Sequence, residues 1–457
     1  MSDQILIISA IVIALSLILF DWRNGAVISI IIGFVQDPIR KIVPDQPIYF
    51  TVIVLAAIAL MIVIALSKFG SIRLSPVFGF NKAIANRVWL FVGLVFIQSI
   101  ITFLKTGSYT LPIIGILAYC LPFIVMWLGY NYYRGFGDFD RLVTVYIVCC
   151  IIAASGLFLS WQKFDWEILK SVGEGLLITD SNVLGGILES HSGFLRSPEI
   201  AAWHMGTATC AVLVMAIFRN DHRWSSWTLV FIPVFLMAGL LTGRRKMIVG
   251  VIAFIIIFLV LSLVFRVKQG QSRIFSLLGL FSIFLSTIEI GAESSLQDYF
   301  VRGSNSLDGF DNRLQDLGLL TIWTAVQVGG FFGLGAGIAS QGSQYFISDI
   351  QTGAAEGGMG KIVLELGIPG LFLMLWLIWG MGRYLWQLLK TIGNTAPEKL
   401  SLFLAIAAFL LSNMASYAIA SQAFGDPFIL IIIGNCLSFL LVAPRLIDGT
   451  GQLKREM

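Results

Sequence analysis

Charged residues are scarce in this chain of 457 residues. They make up 12% of the sequence, whereas hydrophobic residues make up 57% and the mean hydropathy is +0.89. A soluble domain carries about a quarter charged residues, so this chain has about half of the usual share. The apolar surface exceeds what one globular core can bury, and lipid must therefore surround most of it. This composition excludes a secreted enzyme, a cytosolic metabolic enzyme and a nucleic-acid-binding protein.

Cysteine and histidine are also few, with five and three residues respectively. All five cysteines lie inside apolar runs and form no CxxC pair, which argues against a disulfide framework and against a cysteine metal site. No group of His, Cys and Asp residues has metal-ligand spacing, and we expect neither a metal nor a cofactor. The net charge of +4 is too small to indicate a partner by itself.

Long apolar runs, by contrast, are abundant, and those of about 17–25 residues are long enough to cross a bilayer. The predicted spans lie near 4–20, 48–67, 88–104, 108–130, 142–160, 200–218, 227–242, 247–265, 274–290, 362–380, 400–421 and 427–443. The first is expected to be retained, because no basic segment of a signal peptide precedes it. The stretch 25–35 is shorter, and we expect it to end at Asp37-Pro38. It is therefore predicted to be a re-entrant or interfacial segment. The sequence thus predicts an all-α polytopic membrane protein of about 12 transmembrane helices, with one transmembrane domain over 1–457.

Lysine and arginine are denser in one of the two alternating sets of loops. By the positive-inside rule this set is cytoplasmic, and it includes the C-terminal tail. Both termini are therefore predicted to be cytoplasmic. The two large loops, 161–199 and 291–361, are predicted to be extracytoplasmic.

The segment Thr242–Lys246 places three positive charges in a tight turn on the extracytoplasmic side, where positive charge is disfavoured. One interpretation is that these side chains snorkel to the lipid headgroups. The other is that Arg244 and Arg245 bind an anion, since charges at membrane depth are costly without a partner. We favour the anion site.

The segment Arg196–Glu199 opens a predicted span. Ser197 fits an N-cap, Pro198 fits the first helical position, and Glu199 faces the positive end of the helix dipole. Glu199 therefore has a structural explanation, and it is also a candidate substrate-binding residue. Arg196 has no such explanation and is a candidate substrate-binding residue.

The loop 291–361 contains Arg313, a predicted helix from Leu314 to Val328 and then a glycine run that includes Gly335 and Gly337. Glycines at this density let the backbone approach a ligand or another helix closely.

Two carboxylates flank the entry to the following span. Glu356 lies in a glycine-rich approach, where it either acts as a general base or is simply solvated. Glu365 lies at apolar depth, where an ionised carboxylate is expensive. It either pairs with Lys361, one helical turn before it, or contributes to a site.

These residues suggest one extracytoplasmic site. Arg196, Arg244, Arg245 and Arg313 are expected to converge on a membrane-held phosphate group, because the guanidinium fork matches phosphate geometry. With a carboxylate as base, this arrangement suits glycosyl transfer from a lipid-pyrophosphate sugar. Stabilisation of the leaving group would then rest on the arginines alone.

The order and sidedness of these motifs resemble the O-antigen ligase and O-antigen polymerase superfamily. The similarity covers residues 160–380 and has three parts. These are the Arg-x-Pro-type motif at Arg196, the Thr-Gly-Arg-Arg turn at Thr242, and a large loop that carries an arginine and a Gly-x-Gly-x-Gly run before the segment Leu364–Leu371. The His-Asn pair usual in the family is replaced here by Glu356 and Gly357.

The resemblance implies a metal-independent, inverting glycosyltransferase of the GT-C type in the bacterial inner membrane. It would move an oligosaccharide from undecaprenyl pyrophosphate to a hydroxyl of an acceptor glycan on the extracytoplasmic face, as an exopolysaccharide or O-antigen polymerase rather than a ligase. The catalytic residues would be Glu356, Arg245 and Arg313, and the substrate-binding residues Arg196, Glu199, Arg244, Glu365, Gly335 and Gly337. The implied partners are the lipid-linked oligosaccharide, the acceptor glycan, the bilayer and other polysaccharide-assembly proteins. A flippase or transporter of lipid-linked oligosaccharides and a non-catalytic scaffold are the alternatives.

Overall fold

The structure is a computed structural model that describes residues 12–170, 172, 177–179, 187–219, 222–267, 299, 320–340, 343 and 357–448. After a helical segment over 12–20, the helices are α1 (Asn24–Ile42), α2 (Ile53–Phe69), α3 (Lys82–Thr106), α4 (Thr110–Tyr132), α5 (Phe136–Trp161), α6 (Pro198–Phe218), α7 (His222–Leu241), α8 (Lys246–Val264), α9 (Leu320–Gly329), α10 (Gly358–Thr395), α11 (Pro397–Ile419) and α12 (Pro427–Asp448). Two short strands, β1 (Leu177–Thr179) and β2 (Ile187–Glu189), form an antiparallel hairpin between α5 and α6, with Leu177 opposite Glu189.

Nine helices in the described part of the chain are long and apolar enough to cross a membrane. They are α2 with the preceding turn, α3, α4, α5, α6, α8, α10, α11 and α12, and they match nine of the predicted spans. The predicted span 274–290 and the first part of 4–20 lie outside the described residues, and 227–242 corresponds to α7. The chain is a polytopic helical membrane protein, and the count of about 12 spans stays a prediction.

Helix α1 continues through Asp37-Pro38, so the prediction that this pair closes the 25–35 stretch is wrong. The helix runs on to Ile42, with Pro38 inside it. Proline removes one backbone donor and its ring crowds the preceding turn, which normally ends a helix. Here tertiary contacts compensate, because Asp37 and Lys41 both bond to the segment 192–196.

The contacts divide the chain into two compact units. The first holds the described residues of 1–70, 135–308 and 398–412, and the second those of 71–134, 309–397 and 413–457. In the first unit α6 is the most enclosed of these helices. In its most apolar stretch 89% of the residues are buried, compared with 28% in α8. Small residues such as Ala201, Ala202 and Gly206 let α5, α7 and α8 pack closely against it.

In the second unit, α4 packs against α3 and α12, while α10 packs against α3 and α9. The Asn81 side chain begins α3 by accepting the backbone N–H groups of Ala83 and Ile84. Helix α10 is broken at Gly367, whose φ of 73° is not helical. The predicted span 362–380 is therefore the middle of a longer, interrupted helix.

Candidate anion-binding site

The candidate site begins at the N-terminus of α6 in the first unit. The Ser197 side chain caps the helix by accepting the backbone N–H of Ile200 at 3.4 Å, Pro198 occupies the first turn and Glu199 follows it. The predicted cap is confirmed. Because the positive end of a helix dipole attracts negative charge, this end of α6 holds Glu199 and favours anions in general.

Arg196, directly before the cap, forms an ion pair with Asp37 of α1. Its Nη1 lies 3.3 Å from Asp37 Oδ1, and its backbone N–H donates to Asp37 Oδ2 at 3.1 Å. The Asp37 side chain is only 2% exposed and the Arg196 side chain 17%. The interpretation that Arg196 has no structural explanation is therefore wrong. Its partner lies 159 positions earlier in the chain, where no local pattern connects the two.

Lys41 lies one turn after Asp37 on α1 and binds the same segment. Its Nζ donates to the carbonyl oxygen of Gly193 at 2.6 Å and lies 3.4 Å from Ser192 Oγ. Burial lowers the pKa of Lys41 to about 7, while the nearby charge of Asp37 acts in the opposite direction. Helix α1 thus holds the residues before α6 at two points, one helical turn apart.

The turn between α7 and α8 carries the second ion pair. Thr242 Oγ1 donates to the Gly239 carbonyl at 2.6 Å and accepts the backbone N–H of Arg244 at 3.3 Å. The predicted tight turn is confirmed, with Gly243 at a φ of 67°. Arg244 Nη2 lies 2.8 Å from Glu199 Oε1, so the turn is tied to the first turn of α6.

Positive charge is in excess where these contacts meet. Arg196 and Glu199 are three residues apart, so the two ion pairs share the beginning of α6. The basic side chains at these contacts are Arg40, Lys41, Arg196, Arg244 and Arg245, and the acidic ones are Asp37 and Glu199. Burial and then the charge of Arg196 lower the pKa of Arg40, and only Asp37 opposes them. Arginines held together in this way suit a phosphate-bearing ligand.

Glu365, in the second unit, is fully buried at the break in α10. Its Oε1 accepts the backbone N–H of Ala339 at 2.8 Å, and its carbonyl oxygen accepts that of Gly335 at 3.0 Å. Of the two alternatives that the sequence left open, pairing with Lys361 is absent among the described contacts, and a contribution of Glu365 to a site stays a prediction. The carboxylate instead binds the loop that follows α9.

The glycine run after α9 approaches other helices of the second unit closely. A Cβ atom on Gly335 would lie 2.2 Å from Thr102 Oγ1 of α3, and one on Gly337 would lie 2.0 Å from the Leu111 carbonyl oxygen of α4. Of the two alternatives that the sequence left open, close approach to a helix is therefore present. A role of Gly335 and Gly337 in substrate binding stays a prediction.

The structure brings four of the predicted site residues together. Arg196, Glu199, Arg244 and Arg245 all lie near the beginning of α6 or in the α7–α8 turn of the first unit. Glu356 and Arg313 lie outside the described residues, and their roles stay predictions. Over the described ranges, no three His, Cys, Asp or Glu side chains come together as metal ligands.

Sequence reasoning missed the contribution of α1. Asp37 and Lys41 are both buried, and together they hold Arg196 and its neighbours. A signal was present in the sequence, because charged residues directly after the apolar stretch 25–35 need partners if they are buried. Their partners, however, belong to a distant segment and could not be identified from spacing.

Comparison with models of known protein families gives no match for this chain. Comparison with curated protein sequences gives no significant match either. The resemblance to the O-antigen ligase and polymerase superfamily therefore rests on the motifs and stays a prediction.

Proposed function

We propose that this chain is a glycosyltransferase that moves an oligosaccharide from undecaprenyl pyrophosphate to a hydroxyl of an acceptor glycan, as a polymerase of exopolysaccharide or O-antigen type. The reaction takes place at the extracytoplasmic face of a bacterial inner membrane. One observation carries the proposal. Arg196, Arg244 and Arg245 gather at one end of the first unit, beside a helix N-terminus.

The chemistry follows from the charge that develops in the reaction. The acceptor oxygen forms a bond to the anomeric carbon as the bond from that carbon to the pyrophosphate oxygen breaks. Glu356 takes the proton of the acceptor hydroxyl, and undecaprenyl pyrophosphate leaves with the bonding electron pair. Arg244 and Arg245 stabilise the negative charge on the leaving group, which is the role that fixed cationic donors play in such transfers.

The test uses purified protein in lipid nanodiscs with an undecaprenyl-pyrophosphate oligosaccharide, in the presence of a metal chelator. Release of undecaprenyl pyrophosphate together with longer lipid-linked glycan indicates a polymerase. Arg245→Ala should lower the rate about 10²–10³-fold through lost charge stabilisation. Glu356→Gln should lower it about 10²–10⁴-fold through loss of the base.

Lys68→Ala is the matched control, because it removes an exposed basic side chain from the last turn of α2. Its rate should equal that of the wild type. Wild-type rates from both Arg245→Ala and Glu356→Gln, or no turnover by folded wild type, would refute the proposal.

Transport of lipid-linked oligosaccharides is the second candidate function. It is favoured by the break in α10, where Glu365 is buried beside Gly367. Transporters place broken helices and buried ionisable residues at their substrate sites. Proteoliposomes decide between the two functions, since a transporter moves the lipid-linked unit across the bilayer without lengthening its glycan.

A further inference from the structure

We infer that Asp37 is a positioning residue, which fixes the guanidinium of Arg196 in the orientation that binds the pyrophosphate of the lipid-linked donor. The inference rests on the proposed function and adds α1 to its site. Neither the motifs nor their resemblance to a family points to this helix.

The first argument is the way in which Asp37 holds Arg196. One carboxylate oxygen accepts from Nη1 of the side chain and the other accepts the backbone N–H of the same residue. The carboxylate therefore fixes both the start and the end of the Arg196 side chain. Arg219 and Asp140, at the other end of α6, differ in this respect, since there both contacts come from the guanidinium.

The second argument is the rigidity of the surrounding segment. Lys41 holds the carbonyl of Gly193, and the carbonyl of Arg196 itself accepts the backbone N–H of Val172 at 3.3 Å. Arg196 thus sits on a main chain that is bound on both sides. A rigid cation binds a ligand with less loss of side-chain entropy than a mobile one.

The third argument is charge. A carboxylate beside an anion site repels the anion, so Asp37 would weaken binding if it did nothing but neutralise Arg196. The Asp37 side chain is nearly inaccessible, whereas that of Arg196 is partly exposed, so a ligand can contact the guanidinium more readily than the carboxylate. We therefore expect the gain from a fixed orientation of Arg196 to outweigh the repulsion between Asp37 and the ligand.

The experiment is a double-mutant cycle on the full-length protein in nanodiscs, with undecaprenyl pyrophosphate as the probe and binding followed by native mass spectrometry. We expect Arg196→Ala and Asp37→Asn each to weaken binding about tenfold, which corresponds to about 1.4 kcal/mol. In the Arg196→Ala background, Asp37→Asn should weaken binding less than about twofold, because residues that act through one contact are not additive.

Asp140→Asn is the matched control. It breaks a comparable ion pair with Arg219 at the opposite end of α6, about 30 Å away for a helix of this length. Its affinity for the probe should be unchanged. Asp37→Glu is a second and independent test of the inference. It keeps the charge but moves it by one methylene, so we expect it to weaken binding of the probe as well.

Three results would overturn the inference. They are unchanged or tighter binding by Asp37→Asn, equal losses from Asp37→Asn with and without Arg196, and wild-type affinity in Asp37→Glu. If Asp37→Asn fails to fold, the affinity of Asp37→Glu for the probe tests the inference by itself. If instead the proposed function is wrong, none of the arginines binds the probe. Binding would then equal that of the wild type in all three variants Arg196→Ala, Arg244→Ala and Arg245→Ala.

Discussion

Replacement of Gly337 by alanine should destabilise the second unit, because the new methyl group has no room. The Gly337 backbone has a φ of 91°, and a Cβ there would lie 2.0 Å from the Leu111 carbonyl oxygen and 3.0 Å from the backbone nitrogen of Gly115. Both neighbours are backbone atoms of α4. No change of rotamer can relieve the overlap, so either the helix or the loop after α9 must move.

Gly330 provides the matched control within the same loop. Its φ is also positive, at 68°, but no atom lies within 4 Å of a Cβ built on it. The left-handed backbone costs an L-residue about 1–2 kcal/mol at either position. Overpacking adds about 1–3 kcal/mol at Gly337 alone. We therefore expect losses of about 1 kcal/mol for Gly330→Ala and about 3 kcal/mol for Gly337→Ala.

Thermal unfolding of the detergent-solubilised protein measures the difference. For a domain of this size 1 kcal/mol corresponds to about 2–4 °C, so Gly337→Ala should lower the midpoint at least about 4 °C more than Gly330→Ala does. Equal midpoints would refute the reasoning. They would mean that the backbone of α4 does not confine Gly337 as closely as the distances indicate.

Three further predictions concern single contacts and are checked by thermal or denaturant unfolding. Ser197→Ala removes the cap of α6 and should cost about 1 kcal/mol, whereas Ser155→Ala, at an exposed hydroxyl, should cost little. The folded Lys41 loses its proton near pH 7 and the unfolded one near 10.5, so the unfolded state binds more protons between these values. The stability of the wild type should therefore rise with pH across this range, and Lys41→Met should lack the rise. Glu365→Gln keeps an acceptor for the Ala339 N–H and should be nearly as stable as the wild type, whereas Glu365→Ala leaves this donor unpaired and should lose at least about 1–3 kcal/mol.

The sequence predicts the features of this fold that depend on local chemistry. Apolar runs locate the spans because the bilayer demands about twenty apolar residues in each. Ser197 and Pro198 predict the start of α6, since a helix N-terminus needs an acceptor and tolerates proline. Thr242 to Arg245 likewise form the expected tight turn.

Features that depend on distant partners could not be predicted. A proline at position 38 normally ends a helix, yet α1 continues to Ile42, and Asp37 in this stretch binds the distant Arg196. Spacing offered Glu365 a partner one turn away, Lys361, yet a backbone N–H from the loop after α9 binds it. In both cases the partner of the carboxylate is distant in the sequence, and only the tertiary structure brings the two groups together.

The Asp37–Arg196 pair also has a consequence for the order of events during synthesis. The two residues are 159 positions apart, so at about 5–20 residues per second Arg196 follows Asp37 out of the ribosome by about 10–30 s. Through this interval Asp37 lacks the partner that it has in the folded protein, and burying its charge would carry a desolvation cost. We therefore expect this end of α1 to stay in contact with water or with the insertion machinery until the segment before α6 has been made.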